Sequence, residues 1–355
     1  MSYWINQPMK IADEGETIKP IIADPSKKIH ADLPQGFELK TLTVKYLDEI
    51  QKLLNKHYIE DDQHLIRLVY SKDFLYWYLK YIPSEYIIGL VYHKKLVGFI
   101  TAMFIDMIVH HNKLKVPYIN LLCIQSKLRN MGFGPVLIDE VKQRICKMGI
   151  NYGLFTSTKE VSLPFCTSID YAIPINYTKL QAIEFIEKDL EPIQQINPNP
   201  LHLMAASDID SVIPKLNKFI EKFDVKPYFT NDSAHHFLLP KKNIIYSFVK
   251  KNSTNEVTDF VCVYKNYFYC TAKHKIISVA QLAFYYYETL TLTDLIICLL
   301  NKLPSYQVDQ LIFRDIADNM MINLTKYMTN GKLHYFLYNI NIKKTNNEKL
   351  CVFPI

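Results

Sequence analysis

Glycine is scarce in this chain, 9 of 355 residues, and several other features are missing with it. No Lys-Ser or Lys-Thr follows a glycine pair, which excludes a Walker phosphate loop. No three glycines stand at the spacing of a dinucleotide fingerprint. The seven cysteines (Cys123, Cys146, Cys166, Cys262, Cys270, Cys298 and Cys351) are scattered singly, with no CxxC and no ligand-spaced histidines nearby. That pattern gives neither a zinc framework nor a disulfide scaffold, and reads as buried thiols in a reducing, cytoplasmic compartment. The longest charge-free apolar stretches, around Leu96 to Ile105 and Ile276 to Tyr287, fall short of the ~20 residues a spanning helix needs. The opening MSYWINQPMKIADEGE has no basic segment ahead of an apolar core, so a soluble chain without a secretory signal is expected. The net charge of +6 is spread out with no long Lys/Arg block, which argues against dedicated nucleic-acid binding.

What is present is an ordinary globular composition, 49% apolar and 21% charged, long enough for two cores. The same order of elements is legible twice. GFELKTLTVKYLDEIQKLLNKHYI predicts a strand, a turn and a helix with Leu47, Ile50, Leu53 and Leu54 at helical spacing. LHLMAASDIDSVIPKLNKFIEKF predicts the same, with Ser207 or Asp208 placed to cap the helix. A hairpin follows each: YIIGLVYHKKLVGFITAMFI around His93 to Lys95, and NIIYSFVKKNSTNEVTDFVCVY with its turn near Asn252 to Glu256. A duplicated α/β unit is the economical account, with a boundary among the prolines between Pro164 and Pro200.

The sharpest chemical signal is YINLLCIQSKLRNMGFGPVLIDEVKQRICKMG, Tyr118 to Gly149. An apolar strand, Ile119 to Ile124, leads into a loop holding Arg129, Asn130, Gly132, Phe133 and Gly134, and Pro135 is expected to open a helix with an apolar stripe of Val136, Leu137, Val141 and Ile145. Two glycines before a helix allow backbone to approach a phosphate, while free N–H groups and the helix dipole favour negative charge. Taken alone the motif reads more readily as a plain turn into a helix, since glycine turns before helices are common.

R-x-x-G-x-G between a strand and a helix resembles the CoA-binding loop of GNAT acyltransferases. The resemblance sharpens along the chain: SYWINQP at the start, LPQGF at Leu33, HYIEDDQHLIRLVYSKDFLYW from His57, KLVGFI at Lys95, INLLCI at Ile119, VTDF at Val257 and LHYFLYN at Leu333 are similar, in order, to the N-myristoyltransferase family. It implies an α/β fold of two tandem GNAT-like halves forming one compact saddle-shaped unit. Residues 1–165 would bind myristoyl-CoA, the acyl donor, and residues 166–355 would supply a peptide groove for protein substrates with an N-terminal glycine. Neither a metal nor a partner subunit is implied.

The resemblance also implies site residues. Tyr3, Trp4, Leu121, Leu122, Cys123, Ile124, Arg129, Asn130, Gly132, Phe133, Gly134 and Pro135 would contact the acyl donor. The N–H groups of Leu121 and Leu122 would form an oxyanion hole, Asn120 and Thr156 would orient the amine, and the α-carboxylate of Ile355 would be the base. Tyr58, Asp61, Asp62, Tyr70 and Tyr171 would line the peptide groove. Read without the family, the strand residues are core, Asn120 and Thr156 satisfy strand-end backbone, Glu60 to Asp62 is a solvated acidic turn, and the tail LCVFPI docks for stability. Gln125, Ser126, Met131 and Gly132 stand where basic residues are frequent in the family, and its Tyr-Trp-His-Arg stretch is replaced by Asp170, Tyr171, Ala172 and Ile173. Cys123 reads as an inert buried thiol, since no histidine stands beside it. A short-chain GNAT acetyltransferase and a non-catalytic acyl-CoA or lipopeptide binder are the alternatives. The composition suggests an AT-rich eukaryotic source.

Overall fold

The computed structural model describes residues 2–5, 7–11, 33–58, 66–186, 194 and 196–353. From Phe37 the chain forms β1 (Phe37–Thr41), α1 (Leu47–His57), α2 (Lys72–Tyr81), β2 (Ile87–Tyr92), β3 (Lys95–Val109), β4 (Asn112–Ile124), α3 (Phe133–Cys146), β5 (Gly153–Ser157) and β6 (Cys166–Pro174). The order then recurs. After a two-residue strand, His202–Leu203, come α4 (Ile209–Ile220), β7 (Ile245–Lys251), β8 (Val257–Cys270), β9 (Lys275–Tyr287), α5 (Leu292–Lys302) and β10 (Gln310–Arg314), followed by β11 (Tyr327–Tyr338).

Two compact units result. One holds residues 1–106, 114–167 and 333–345, the other 107–113, 168–332 and 346–355. In the first the strand order is β1-β2-β3-β4-β5-β11; in the second it is β6-β10-β9-β8-β7, with His202–Leu203 beyond β7. Within the large sheet each unit contributes a parallel pair, β4 with β5 and β9 with β10. A parallel pair needs a crossover, and α3 and α5 supply it. Each pair is flanked by an antiparallel strand, β11 on β5 and β6 on β10. The fold is therefore mixed α/β, with two tandem halves of matching topology.

Local chemistry explains the elements. Helix α1 buries Leu47, Ile50, Leu53 and Leu54, and carries Asp48 and Glu49 in its first turn and Lys56 and His57 in its last, the polarity the helix dipole favours. Each such leucine contributes about 1.5–3 kcal/mol by leaving water. Ser71 caps α2, its Oγ accepting the Phe74 N–H at 3.1 Å, a contact worth ~1 kcal/mol. The β2–β3 turn sets His93 at φ 46° and Lys94 at φ 65°, the two-residue geometry that matches strand twist. In the β7–β8 turn, Asn252 Oδ1 accepts the N–H groups of Thr254 and Glu256 at 3.0 and 2.9 Å. The second unit's core centres on α5, whose Leu295, Ile296 and Leu299 lie with Phe248, Val261 and Leu282.

Three local expectations change. Helix α3 begins at Phe133 behind a left-handed Gly132, φ 85°, so Pro135 is its third residue rather than its first. Asp208 precedes α4 but does not cap it: its Oδ2 accepts the Ala205 N–H at 2.9 Å and its Oδ1 pairs with Lys251 at 2.6 Å. Strand β4 is longer than the apolar run, starting at Asn112.

Candidate active site

The first unit opens between its two parallel strands. The β4–β5 register matches Tyr118 with Leu154 and Ile119 with Phe155, whereas β4 runs on to Ile124 and β5 to Ser157. Asn120 and Thr156 therefore stand where the ladder gives out. Thr156 Oγ1 shares a hydrogen bond with the Tyr118 hydroxyl at 3.1 Å.

At this point the backbone leaves strand geometry. Leu121, 1% exposed, has φ 56°, a left-handed conformation that costs a non-glycine residue about 1–3 kcal/mol. Asn120 compensates at the peptide unit that leads into that residue. Its Oδ1 accepts the Leu121 N–H at 2.8 Å and the Tyr58 hydroxyl at 3.2 Å. Its backbone carbonyl accepts the Thr101 hydroxyl at 3.1 Å, and its Nδ2 reaches the Tyr78 oxygen at 3.4 Å. At about 0.5–1.5 kcal/mol each, these bonds together outweigh the strain. Burial pushes the Tyr58 and Tyr70 hydroxyls upward in pKa, and that of Tyr78 up to about 12, with the neighbouring Asn120 and Thr101 side chains opposing. All three stay protonated at neutral pH. The Tyr58 and Tyr70 rings lie 6.0 Å apart, and Tyr70 is tied to α1 through Gln51 and Asn55 at 2.9 and 3.1 Å.

Beyond β4 the loop turns into α3. Arg129 donates to the Ile124 carbonyl at 3.3 Å and to the His57 carbonyl, so its guanidinium holds the loop against the end of α1. The Ser126 N–H points to His57 Nδ1 at 3.5 Å. Burial, then the charges of Lys56, Arg129 and Arg67, lower the pKa of His57. Asn130 and Gly132 take φ 65° and 85°. A Cβ added at Gly132 or Gly134 would meet nothing within 4 Å, so the backbone at the α3 N-terminus faces open space. Free N–H groups, the dipole and that space suit an anionic phosphate group.

The N-terminal helix, Ser2–Ile5, meets the same unit. The Tyr3 hydroxyl donates to Asp139 Oδ1 at 3.4 Å, and burial with the Asp139 charge raises its pKa. Trp4 stacks on Phe155, 5.0 Å between centroids. Cys123 is buried with its Sγ against the Leu53 carbonyl, and burial pushes its thiol up to about 12, which suppresses the thiolate a nucleophile needs. Leu122, Ile124 and Pro135 are half-buried in this stretch, and Phe133 packs on Phe37 at 4.6 Å.

The structure thus brings together Tyr58, Asn120 and Leu121. Tyr171 lies in the second unit, stacked on Phe313 at 6.0 Å. Asp61, Asp62 and Ile355 fall outside the described residues. Thr101 and Tyr78 were not anticipated; a lone hydroxyl inside KLVGFITAMFI was the available signal. Among the described residues no cluster of His, Cys, Asp and Glu is arranged for a metal, and no helix is long and apolar enough to cross a membrane.

Comparison with known proteins agrees with this geometry. The N-terminal domain of Myristoyl-CoA:protein N-myristoyltransferase matches residues 18–168, and its C-terminal domain matches residues 175–350. A protein of Acanthamoeba polyphaga mimivirus assigned as a glycylpeptide N-tetradecanoyltransferase is 52% identical over 324 residues, 90% of each chain. The Emericella nidulans glycylpeptide N-tetradecanoyltransferase is 31% identical over 95% of this chain and 77% of its own. In fold, the Saccharomyces cerevisiae N-myristoyltransferase with bound myristoyl-CoA superposes with a TM-score of 0.88 at 23% identity, covering 100% of this chain and 99% of that one. A GCN5-related N-acetyltransferase from Anabaena variabilis reaches a TM-score of 0.50 at 11% identity, over 85% of this chain and 72% of that one. The strand break, the phosphate-ready helix start and these matches together place the chain in the N-myristoyltransferase family of acyltransferases.

Proposed function

We propose that this chain transfers myristate from myristoyl-CoA to the N-terminal glycine amine of protein substrates by direct attack. The observation that carries the proposal is the opening of the β4–β5 ladder at Asn120 and Thr156, with an open, two-glycine helix start at the end of the same strand. Residues 1–165 hold the acyl donor, its phosphates at the α3 N-terminus and its thioester at the strand break. Residues 166–355 supply the peptide groove, Tyr171 included.

In the reaction the glycine nitrogen forms a bond to the thioester carbon, the C–S bond breaks, and the second proton shed by that nitrogen goes to the departing sulfur, so that CoA leaves as the thiol. The attacking ammonium, with an ordinary pKa of ~7.7–8.0, must first lose a proton. That proton goes to the α-carboxylate of Ile355. Its ordinary pKa of ~3.3–3.7 makes it a weak base in water, and burial would strengthen it. Supporting this, the chain leading to it is buried: Cys351, Val352 and Phe353 are each under 9% exposed, the Cys351 N–H donates to the Val225 carbonyl at 2.8 Å, and Phe353 meets Phe284 edge-on at 5.2 Å. The N–H groups of Leu121 and Leu122 receive the developing oxyanion, a contribution of ~10²–10³ per donor in other enzymes. For Leu121 this exchanges the Asn120 Oδ1 contact for the thioester oxygen.

The test is product formation by the untagged chain on a peptide beginning Gly-x-x-x-Ser, offered acetyl-, octanoyl-, myristoyl- and palmitoyl-CoA in parallel. A sharp optimum at myristoyl supports the proposal. Preference for acetyl leaves the fold and overturns the donor, and binding without product indicates a non-catalytic relative. A short C-terminal extension should abolish turnover while acyl-CoA binding persists; full turnover by the extended chain removes Ile355 from the mechanism.

A further inference from the structure

We infer that Thr101 and Tyr78 are positioning residues for acyl transfer, holding Leu121 through Asn120 in the left-handed conformation that sets the direction of the amide at the strand break. This rests on the reading of that break as the acyl-transfer centre.

The argument turns on one peptide plane. The carbonyl of Asn120 and the N–H of Leu121 belong to the same planar unit, so fixing both ends fixes its orientation. Thr101 grips one end, its hydroxyl donating to the Asn120 carbonyl at 3.1 Å. The Asn120 side chain grips the other, Oδ1 accepting the Leu121 N–H at 2.8 Å. Tyr78, from α2, accepts from Asn120 Nδ2 at 3.4 Å, a contact that favours the carboxamide orientation with Oδ1 facing the Leu121 amide. Tyr58 adds a second contact to Oδ1 at 3.2 Å.

Both positioning residues are sealed away from solvent, Thr101 at 0% and Tyr78 at 1% exposure. Thr101 interrupts a strand otherwise buried as Val97, Phe99, Ile100, Ala102 and Met103. A buried hydroxyl in such a setting is costly unless bonded, and here its partner is the carbonyl immediately before the one residue of β4 with positive φ. A packing role alone would be met by valine.

The experiment compares Thr101→Val, Thr101→Ser and Tyr78→Phe with the native chain, measuring kcat and KM for myristoyl transfer and, separately, the Kd for myristoyl-CoA. Loss of the hydroxyl in either Thr101→Val or Tyr78→Phe should lower kcat by roughly tenfold or more, with Kd held within about twofold, and serine should restore most of the rate. Native turnover in both hydroxyl-deleted variants overturns the inference. So does a fall in kcat matched by an equal loss of acyl-CoA binding without rescue by serine, the signature of disturbed packing. If Thr101→Val does not fold, Tyr78→Phe decides alone. A native chain that forms no product rejects the parent reading and this inference with it.

Discussion

At Gly331 the missing side chain makes room for a charge. A Cβ there would lie 2.9 Å from Asp170 Oδ2 and 3.1 Å from Thr329 Oγ1. The Asp170 carboxylate cannot easily yield, because its Oδ1 pairs with Arg314 Nε at 3.1 Å. Burial raises its pKa while Arg314 opposes. Gly331→Ala should therefore cost about 1–3 kcal/mol in urea unfolding. In an Asp170→Ser background the same change should cost less by at least ~0.5 kcal/mol, because the obstructing oxygen is gone. Equal costs in the two backgrounds would place the effect elsewhere than this contact. Such residue-level features separate what could be read beforehand from what could not. The Gly132–Gly134 pair was legible from its place before a helix, whereas Asn120 and Tyr58 were singled out only by the family resemblance, and the structure puts those two in contact. Apart from the resemblance, Leu121 was legible only as core: nothing about a leucine signals a positive φ, which is held here by the Asn120 side chain and by Thr101 and Tyr58, distant in sequence, bonded to Asn120.

At the scale of elements, α4 carries Pro214 inside its span, six residues into the helix and exposed. Proline there removes one backbone bond and crowds the preceding turn, a cost of up to ~3 kcal/mol. The helix persists because Ile209, Val212, Leu216 and Ile220 are buried along one face, worth several kcal/mol together. Pro214→Ala should accordingly raise stability by about 1–2 kcal/mol and lift the thermal midpoint by a few degrees; an unchanged or lower midpoint would mean that the proline fits its turn without cost. The two hairpins and the helices α1 and α4 were readable from period and turn residues, because those signals are local. The start of α3 was read two residues late, since both Gly132 and Pro135 signal a helix start and only the backbone reveals which one acts. Strand β11 beside β5 could not be read at all: His334 to Tyr338 pair with residues 153–157 across about half of the chain, and no short-range pattern encodes such a partner.

Over the whole molecule, buried titratable groups set how stability responds to acid. Burial holds His236 down to about 4 from an ordinary 6.5, with Asp232 opposing and Lys241 assisting. A histidine kept neutral in the native state binds fewer protons than in the unfolded chain. Its contribution is complete above pH ~6.5 and is lost as pH falls from there toward 4. Linkage bounds that loss near ~3 kcal/mol, and screening of a partly exposed ring reduces it to about 1–2 kcal/mol. His57, lowered by burial and neighbouring cations, adds in the same direction. Asp259 extends the loss to lower pH. Burial would raise its pKa, but hydrogen bonds from Thr289, Leu290 and Thr258 prevail and lower it, so its share survives above ~3.8 and disappears as pH falls through its depressed native value. Asp170, raised by burial, works the other way and relieves part of the loss. The expected outcome is a urea midpoint that is flat near pH 7–8 and declines from pH ~6.5 downward, and His236→Gln should flatten the limb between pH 6.5 and 4 while leaving the steeper fall below it. An unaltered limb in that variant would assign the acid sensitivity to the other histidines and the carboxylates.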